Sequence, residues 1–158
     1  MSALLLNLYA QPIARVCPTT ELEERFRVVV QRFHTELEPA IQGEFDLCND
    51  IARAYWLMNY WKRLTNQSRG QLKAMKKTEP ESPRLAELEK EREHNQWHWI
   101  KQQLLMNRLK KRYEEVRAKY EAELAEAGYT IDEAREAFLQ SLVAADPAYT
   151  EQVLPEAA

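Results

Sequence analysis

The sequence predicts an all-α protein, and three observations carry that prediction. Glycine occurs 3 times and proline 7 times in 158 residues, too rarely for a sandwich or barrel that turns every ~8–12 residues. Apolar residues recur at helical spacing over long segments, whereas no segment alternates with a period of two. Apolar residues make up 45% of the chain, so it can bury a core rather than stay disordered. We predict a helical bundle or hairpin with one long coiled-coil-like helix and a short C-terminal helix.

The two ends of the chain are predicted to lie outside this helical part. Residues 1–19 form an N-terminal arm, because Pro12 and Pro18 interrupt a short apolar stretch. Residues 146–158 form an acidic, frayed tail. The residues between them, 20–145, are expected to form a single helical domain.

The first two helices are predicted near 20–38 and 40–76. Thr20 and Glu23 form a capping box, in which each side chain satisfies a free backbone donor at the start of the first helix. The second helix has a weak point from Asn66 to Gly70, after which it is expected to continue. It carries an apolar stripe at helical spacing: Ile41, Phe45, Cys48, Ile51, Tyr55 and Met58.

The third helix is predicted near 83–127, where neither glycine nor proline interrupts the chain after its start. Ser82 is the expected N-cap, and Pro83 suits the first helical position. A seven-residue repeat predicts a seam that packs against the second helix of the same chain or against a copy of the long helix. We take this seam as the partner interface: Trp99, Met106, Leu109, Tyr113, Val116 and Tyr120.

A fourth, short helix is predicted near 131–145. Gly128 is placed to end the third helix, because glycine tolerates the left-handed conformation of a C-cap. Thr130 and Glu133 then form a second capping box.

The formal net charge of −3 conceals large opposite blocks. Residues 53–77 hold seven basic side chains and no acidic one, whereas residues 120–158 hold one basic and nine acidic side chains. Such a basic run either contacts a polyanion or is a solvated face that the acidic blocks balance. Aromatic side chains lie among the cations, as in surfaces that bind nucleic acid. The candidate nucleic-acid-binding residues are Arg53, Trp61, Lys62, Arg63, Arg69, Lys73, Lys76, Lys77, Arg108, Lys110, Lys111 and Arg112.

Common catalytic motifs are missing from the sequence. It has no glycine-rich phosphate loop and no nucleophile elbow. Cys17 and Cys48 are far apart and lack metal-ligand spacing, which favours a reduced cytoplasmic protein. No apolar run approaches the ~18 residues of a membrane span. We therefore expect a non-catalytic protein with no cofactor and no membrane partner.

One cluster resembles a metal site but is expected to hold no metal. Glu91, His94 and His98 share a helical face, as in the carboxylate-bridged di-metal bundles. Those sites need a second glutamate–histidine pair, and the remaining histidine, His34, has no carboxylate at the matching position. We expect His94 and His98 to be a solvated or interfacial pair.

Three strings carry a resemblance to a known family: Asn7-Leu8-Tyr9-Ala10, then Leu22, Phe26 and Phe33 followed by Leu37-Glu38-Pro39, and Ile51-Ala52-Arg53-Ala54-Tyr55-Trp56-Leu57. Over roughly residues 3–64 the chain is similar to small helical bacterial proteins of unknown function, common near mobile elements. Part of that pattern is shared with phage small terminase-like proteins. Leu5, Leu6 and Asn7 stand where the family has Lys-His-Gly. The resemblance implies a DNA-related role and carries no functional residue over to this chain.

Two functional hypotheses follow. The first is a non-catalytic helical subunit of a nucleoprotein assembly, either small terminase-like or a small subunit of an RNA-guided effector complex. Its basic helix faces would contact the nucleic-acid backbone, and its apolar seam would contact protein. The alternative is a structural adaptor that oligomerises through the long helix and binds no nucleic acid. A bundle metalloenzyme is a third and weaker possibility.

Overall fold

A computed structural model describes residues 20–145 of the chain. This part contains four helices and no β-strand: α1 (Thr20–Leu37), α2 (Gln42–Thr78), α3 (Arg84–Ala127) and α4 (Ile131–Ala145). The all-α fold and the long third helix are therefore confirmed. The predicted N-terminal arm and acidic tail lie outside the described residues.

The second helix is confirmed, and α2 runs without interruption through the predicted weak point at 66–70. A helical glycine costs only about 1 kcal/mol relative to alanine. Ser68 and Leu72, on either side of it, are 2% and 5% exposed. Tertiary packing of one helix face supplies most helical stability in proteins, so it outweighs this local cost.

The predicted signals at the start of α3, at its end and at the start of α4 are present in the structure. The backbone N–H of Arg84 donates to Ser82 Oγ over 3.4 Å at the start of α3. Gly128 ends α3 with a φ of 83°. In the second capping box, Thr130 N donates to Glu133 Oε2 over 2.9 Å, and Glu133 N donates to Thr130 Oγ1 over 3.2 Å.

The helices divide into two compact units, and the single helical domain over 20–145 stays a prediction. Of the described residues, 20–53 and 108–145 form the terminal unit, and 54–107 form the hairpin unit. Phe45 in the terminal unit packs against Phe138, Leu139 and Leu142 of α4. The buried apolar residues of this unit outside α4 are Phe26, Val30, Phe33, Ala40, Phe45, Cys48, Ile51, Ala52 and Tyr113.

The terminal unit also buries a charged network. Glu44 is completely buried, and its carboxylate accepts hydrogen bonds from Arg117 Nε and, over 2.9 Å, from the Ala40 backbone N–H. Arg117 Nη2 donates to the carbonyl oxygen of Glu38 over 2.6 Å. The Tyr113 hydroxyl donates to the Leu37 carbonyl over 2.7 Å. These contacts satisfy carbonyls at the end of α1, which helix geometry leaves free.

A second buried polar pair in this unit joins α1 to α2. His34 Nε2 lies 2.8 Å from Asn49 Oδ1, and the His34 ring meets the Phe45 ring edge-on at 4.7 Å. Burial lowers the pKa of His34, although the contact with Asn49 opposes that shift. His34 is therefore a packed core residue.

Candidate nucleic-acid interface

Five cations of the hairpin unit lie on one side of α2. Lys62, Arg69, Lys73 and Lys76 are separated by seven, four and three positions, which places them on one helix face at about 100° per residue. Lys77 lies beside them, and all five side chains are exposed. We call these five residues the basic stripe. A helix of this kind presents a row of positive charge to solvent.

The adjoining side of α2 is held in the core of the hairpin unit. Thr65 is completely buried, and its hydroxyl donates to the Trp61 carbonyl over 2.8 Å. Asn95 Nδ2 of α3 donates to Ser68 Oγ over 3.2 Å. Leu72 of α2 is 5% exposed. Because this side of the helix is fixed by packing and hydrogen bonds, the basic stripe stays directed toward solvent.

Few acidic groups neutralise the basic stripe within the described residues. Lys76 lies 4.0 Å from Glu89, and both side chains are at least half exposed, so this pair is weak. Lys62 Nζ and the Arg69 guanidinium lie 5.8 and 6.0 Å from the centre of the Trp99 ring. Lys73 and Lys77 have no carboxylate within 4.0 Å in the part of the chain that the structure describes.

An aromatic cluster lies in the same unit, at the start of the stripe. The rings of Trp61 and His98 stack with centroids 4.3 Å apart and an angle of 17°. His94 meets His98 at 4.5 Å, and Trp97 meets His98 edge-on at 4.9 Å. Tyr60 meets Trp61 at 5.2 Å. The histidine pair is therefore part of an aromatic surface.

This cluster does not assemble enough ligands for a metal ion. Over residues 20–145, no three His, Cys, Asp or Glu side chains are grouped closely enough to hold one. Desolvation lowers the pKa of His98, and the nearby His94 and Lys101 lower it further. Neutral imidazole stacks on an indole without burying a charge, which suits the contact between Trp61 and His98.

Apart from Arg63, the other predicted basic residues belong to the terminal unit, and they differ in their surroundings. Arg53 is half-buried, and its Nε is buried without a hydrogen-bond partner among the described residues. Lys110 Nζ lies 5.8 Å from the Phe33 ring centre. Arg112 lies 3.8 Å from Glu115. The remaining members of the predicted set that are exposed are Arg63 of α2, in the hairpin unit, and Arg108 and Lys111 of α3, in the terminal unit.

The seam of α3 packs largely within the chain. Met106 and Tyr113 are 9% and 5% exposed. The other four predicted members are half-buried: Trp99, Leu109, Val116 and Tyr120. As a binding surface for a separate protein, the seam stays a prediction.

α3 also has an exposed apolar side that the sequence analysis did not predict. Trp97 and Leu104 are each 58% exposed and Ile100 is 46% exposed. The signal was present in the sequence, since these residues are three and four positions apart. The stronger seven-residue repeat of the seam obscured it. Among the described helices, none is long and apolar enough to cross a membrane.

The fold and the site together define a helical protein with a solvent-exposed basic stripe beside an aromatic cluster. Protein-family models, curated proteins and solved structures give no match to this chain. The resemblance of residues 3–64 to mobile-element-associated proteins therefore stays a prediction.

Proposed function

We propose that this protein is a non-catalytic cytoplasmic subunit of a nucleoprotein assembly that binds the nucleic-acid backbone through the basic stripe. A small terminase-like subunit and a small subunit of an RNA-guided effector complex both fit this role. The stripe would contact phosphates without reading the base sequence. Lysine ammonium and arginine guanidinium groups bind backbone phosphates, which are the same for every base sequence.

One observation carries the proposal: a row of five exposed cations on a helix face with a single weak ion pair among the described residues. In the hairpin unit as a whole, 10 basic side chains stand against 6 acidic ones, a net charge of +4. In the described part of the terminal unit, 11 basic stand against 16 acidic, a net charge of −5. Positive charge is therefore concentrated where the stripe lies.

Salt dependence tests whether phosphate contacts dominate binding. If about four cations touch phosphates, the slope of log affinity against log salt on duplex DNA should be about −3 to −4. Fluorescence anisotropy with labelled duplex DNA, single-stranded DNA and RNA measures this slope. No detectable binding of any of the three down to about 50 mM salt would overturn the proposal.

A matched pair of variants then locates the binding surface. The change of Lys62, Lys73 and Lys77 to Gln removes three charges from the stripe and should weaken binding at least about tenfold at low salt. The control changes Arg25, Arg32 and Lys119 to Gln, which alters the net charge equally. These three side chains are exposed and already paired with acidic neighbours in the terminal unit. An equal loss in both variants would show a non-local charge effect and contradict the proposed surface.

The structural adaptor makes the opposite prediction at each step. It binds neither DNA nor RNA at low salt, and removal of the stripe charges changes nothing. Helical content measured by circular dichroism should be the same in both variants, because every substituted side chain is exposed.

A further inference from the structure

An apolar row on α3 is about half exposed in the part of the chain that the structure describes. Trp97, Ile100 and Leu104 are 58%, 46% and 58% exposed. Asn107, also exposed, continues the alternating spacing of four and three positions. We call these four residues the outer stripe. Single exposed apolar residues are ordinary, but a row of them on one helix face marks a contact surface.

We infer that the outer stripe is covered by the same stripe of a second copy of this chain, in an antiparallel two-fold pair. The two helices would cross at the level of position 102. A residue that lies a given number of positions before 102 in one copy then faces the residue that lies the same number of positions after 102 in the other copy. Ile100 lies against Leu104 of the other copy, and Leu104 against its Ile100. Trp97 lies against Asn107, so the most apolar residues occupy the centre of the pair.

Charge complementarity selects the antiparallel orientation. Glu93 precedes Trp97 by four positions, and Lys111 follows Asn107 by four, so both continue the same side of α3. Both are exposed and equally far from position 102. In an antiparallel pair, Glu93 of each copy faces Lys111 of the other. A parallel pair would instead set Glu93 against Glu93 and Lys111 against Lys111, which is repulsive.

This inference does not rest on the proposed nucleic-acid binding. The outer stripe and the basic stripe share no residue and lie on different helices. A dimer that binds no nucleic acid would contradict only the proposed function. A monomer that binds nucleic acid would contradict only the proposed dimer.

Sedimentation velocity of the full chain over a concentration series tests the pair directly. The protein should reach a dimer at micromolar concentration. Leu104→Glu places a charge in the apolar centre and should weaken the dimer at least about tenfold. Gln67→Glu adds the same charge at an exposed position of α2, which contributes no residue to the outer stripe, and should leave the dimer unchanged. A monomer at every concentration, or equal dimers in both variants, would overturn the inference.

A charge exchange tests the orientation. Glu93→Lys alone and Lys111→Glu alone should each weaken the dimer at low salt, because each sets like charges against one another in both copies. The double variant restores opposite charges and should recover the dimer. Loss of dimer in the single variants without recovery in the double variant would contradict antiparallel pairing. Circular dichroism provides the control for folding, since all four substituted positions are exposed.

Discussion

The two units of this protein bury polar groups in different ways. The terminal unit buries an ionised pair, with Glu44 completely enclosed and held by Arg117. The terminal unit also buries the neutral pair of His34 and Asn49. In the hairpin unit the buried pair is neutral, with Asn95 donating to Ser68. A buried charge is costly unless it is fully hydrogen-bonded, whereas a neutral pair needs one good contact.

The units also differ in what they expose. Described residues of the terminal unit carry an excess of acidic side chains, whereas the hairpin unit carries an excess of basic ones. The hairpin unit also holds the exposed Trp97, Ile100 and Leu104. The terminal unit is therefore distinguished by its buried core, and the hairpin unit by its exposed surfaces.

The largest expected effect comes from breaking the ion pair of the terminal unit. Arg117→Ala leaves the Glu44 carboxylate buried without its partner and should lower the free energy of unfolding by about 3 kcal/mol. Urea unfolding followed by circular dichroism measures this loss. Lys119→Ala is the control, because its partner Glu123 and Lys119 itself are exposed, and it should change stability by no more than about 0.5 kcal/mol. Similar losses in both variants would contradict the importance of the buried pair.

A core substitution in the hairpin unit should have the next largest effect. Leu72 is 5% exposed, so Leu72→Ala should cost about 2–3 kcal/mol through lost burial and the cavity it leaves. Val28→Ala is the comparison, since Val28 is 63% exposed and should cost less than about 0.5 kcal/mol. Thermal and urea unfolding measure both. If Leu72→Ala were as mild as Val28→Ala, the hairpin unit would lack a core of its own.

A smaller effect is expected from pH. The pKa of His34 is lowered in the folded protein, mainly by burial, so the unfolded chain takes up a proton first as pH falls. The contribution of neutral His34 to the free energy of unfolding is complete above the pKa of an unfolded histidine, about 6.5. It is lost as the pH falls from that value toward the lower pKa of the folded state. Urea unfolding between about pH 7.5 and 5.5 should show stability decreasing toward acid.

His34→Gln should remove most of that pH dependence while retaining a polar group near Asn49. His98→Gln provides the contrast from the hairpin unit. The pKa of His98 is also lowered, but its ring is far less buried, so the change should be smaller. A profile unaltered by His34→Gln would contradict the assignment.

The smallest predicted effect concerns the acidic C-terminal segment. Removal of residues 146–158 deletes Asp146, Glu151 and Glu156. Because these charges repel a polyanion and compete for the basic stripe, nucleic-acid affinity should rise by about twofold or less at low salt. Anisotropy titrations of the full and shortened chains measure the difference. Weaker binding by the shortened chain would show that this segment supports the complex.

The sequence by itself determined the local architecture. The Ser82 start, the Gly128 stop and the Thr130–Glu133 capping box all lie where the structure has helix ends. Such signals depend on neighbours within about four positions, so they can be read directly from the chain. The basic run of 53–77 was equally visible, because composition alone defines it.

Only the tertiary structure decided which residues act together. Glu44 and Arg117 are 73 positions apart, and nothing in the local sequence indicates that a buried glutamate would find that arginine. Packing also carried α2 through Gly70 and set His98 against Trp61. It left Arg53 half-buried and Trp97 58% exposed. Each of these outcomes depends on which helix faces meet, and side-chain spacing within one helix does not specify its neighbour.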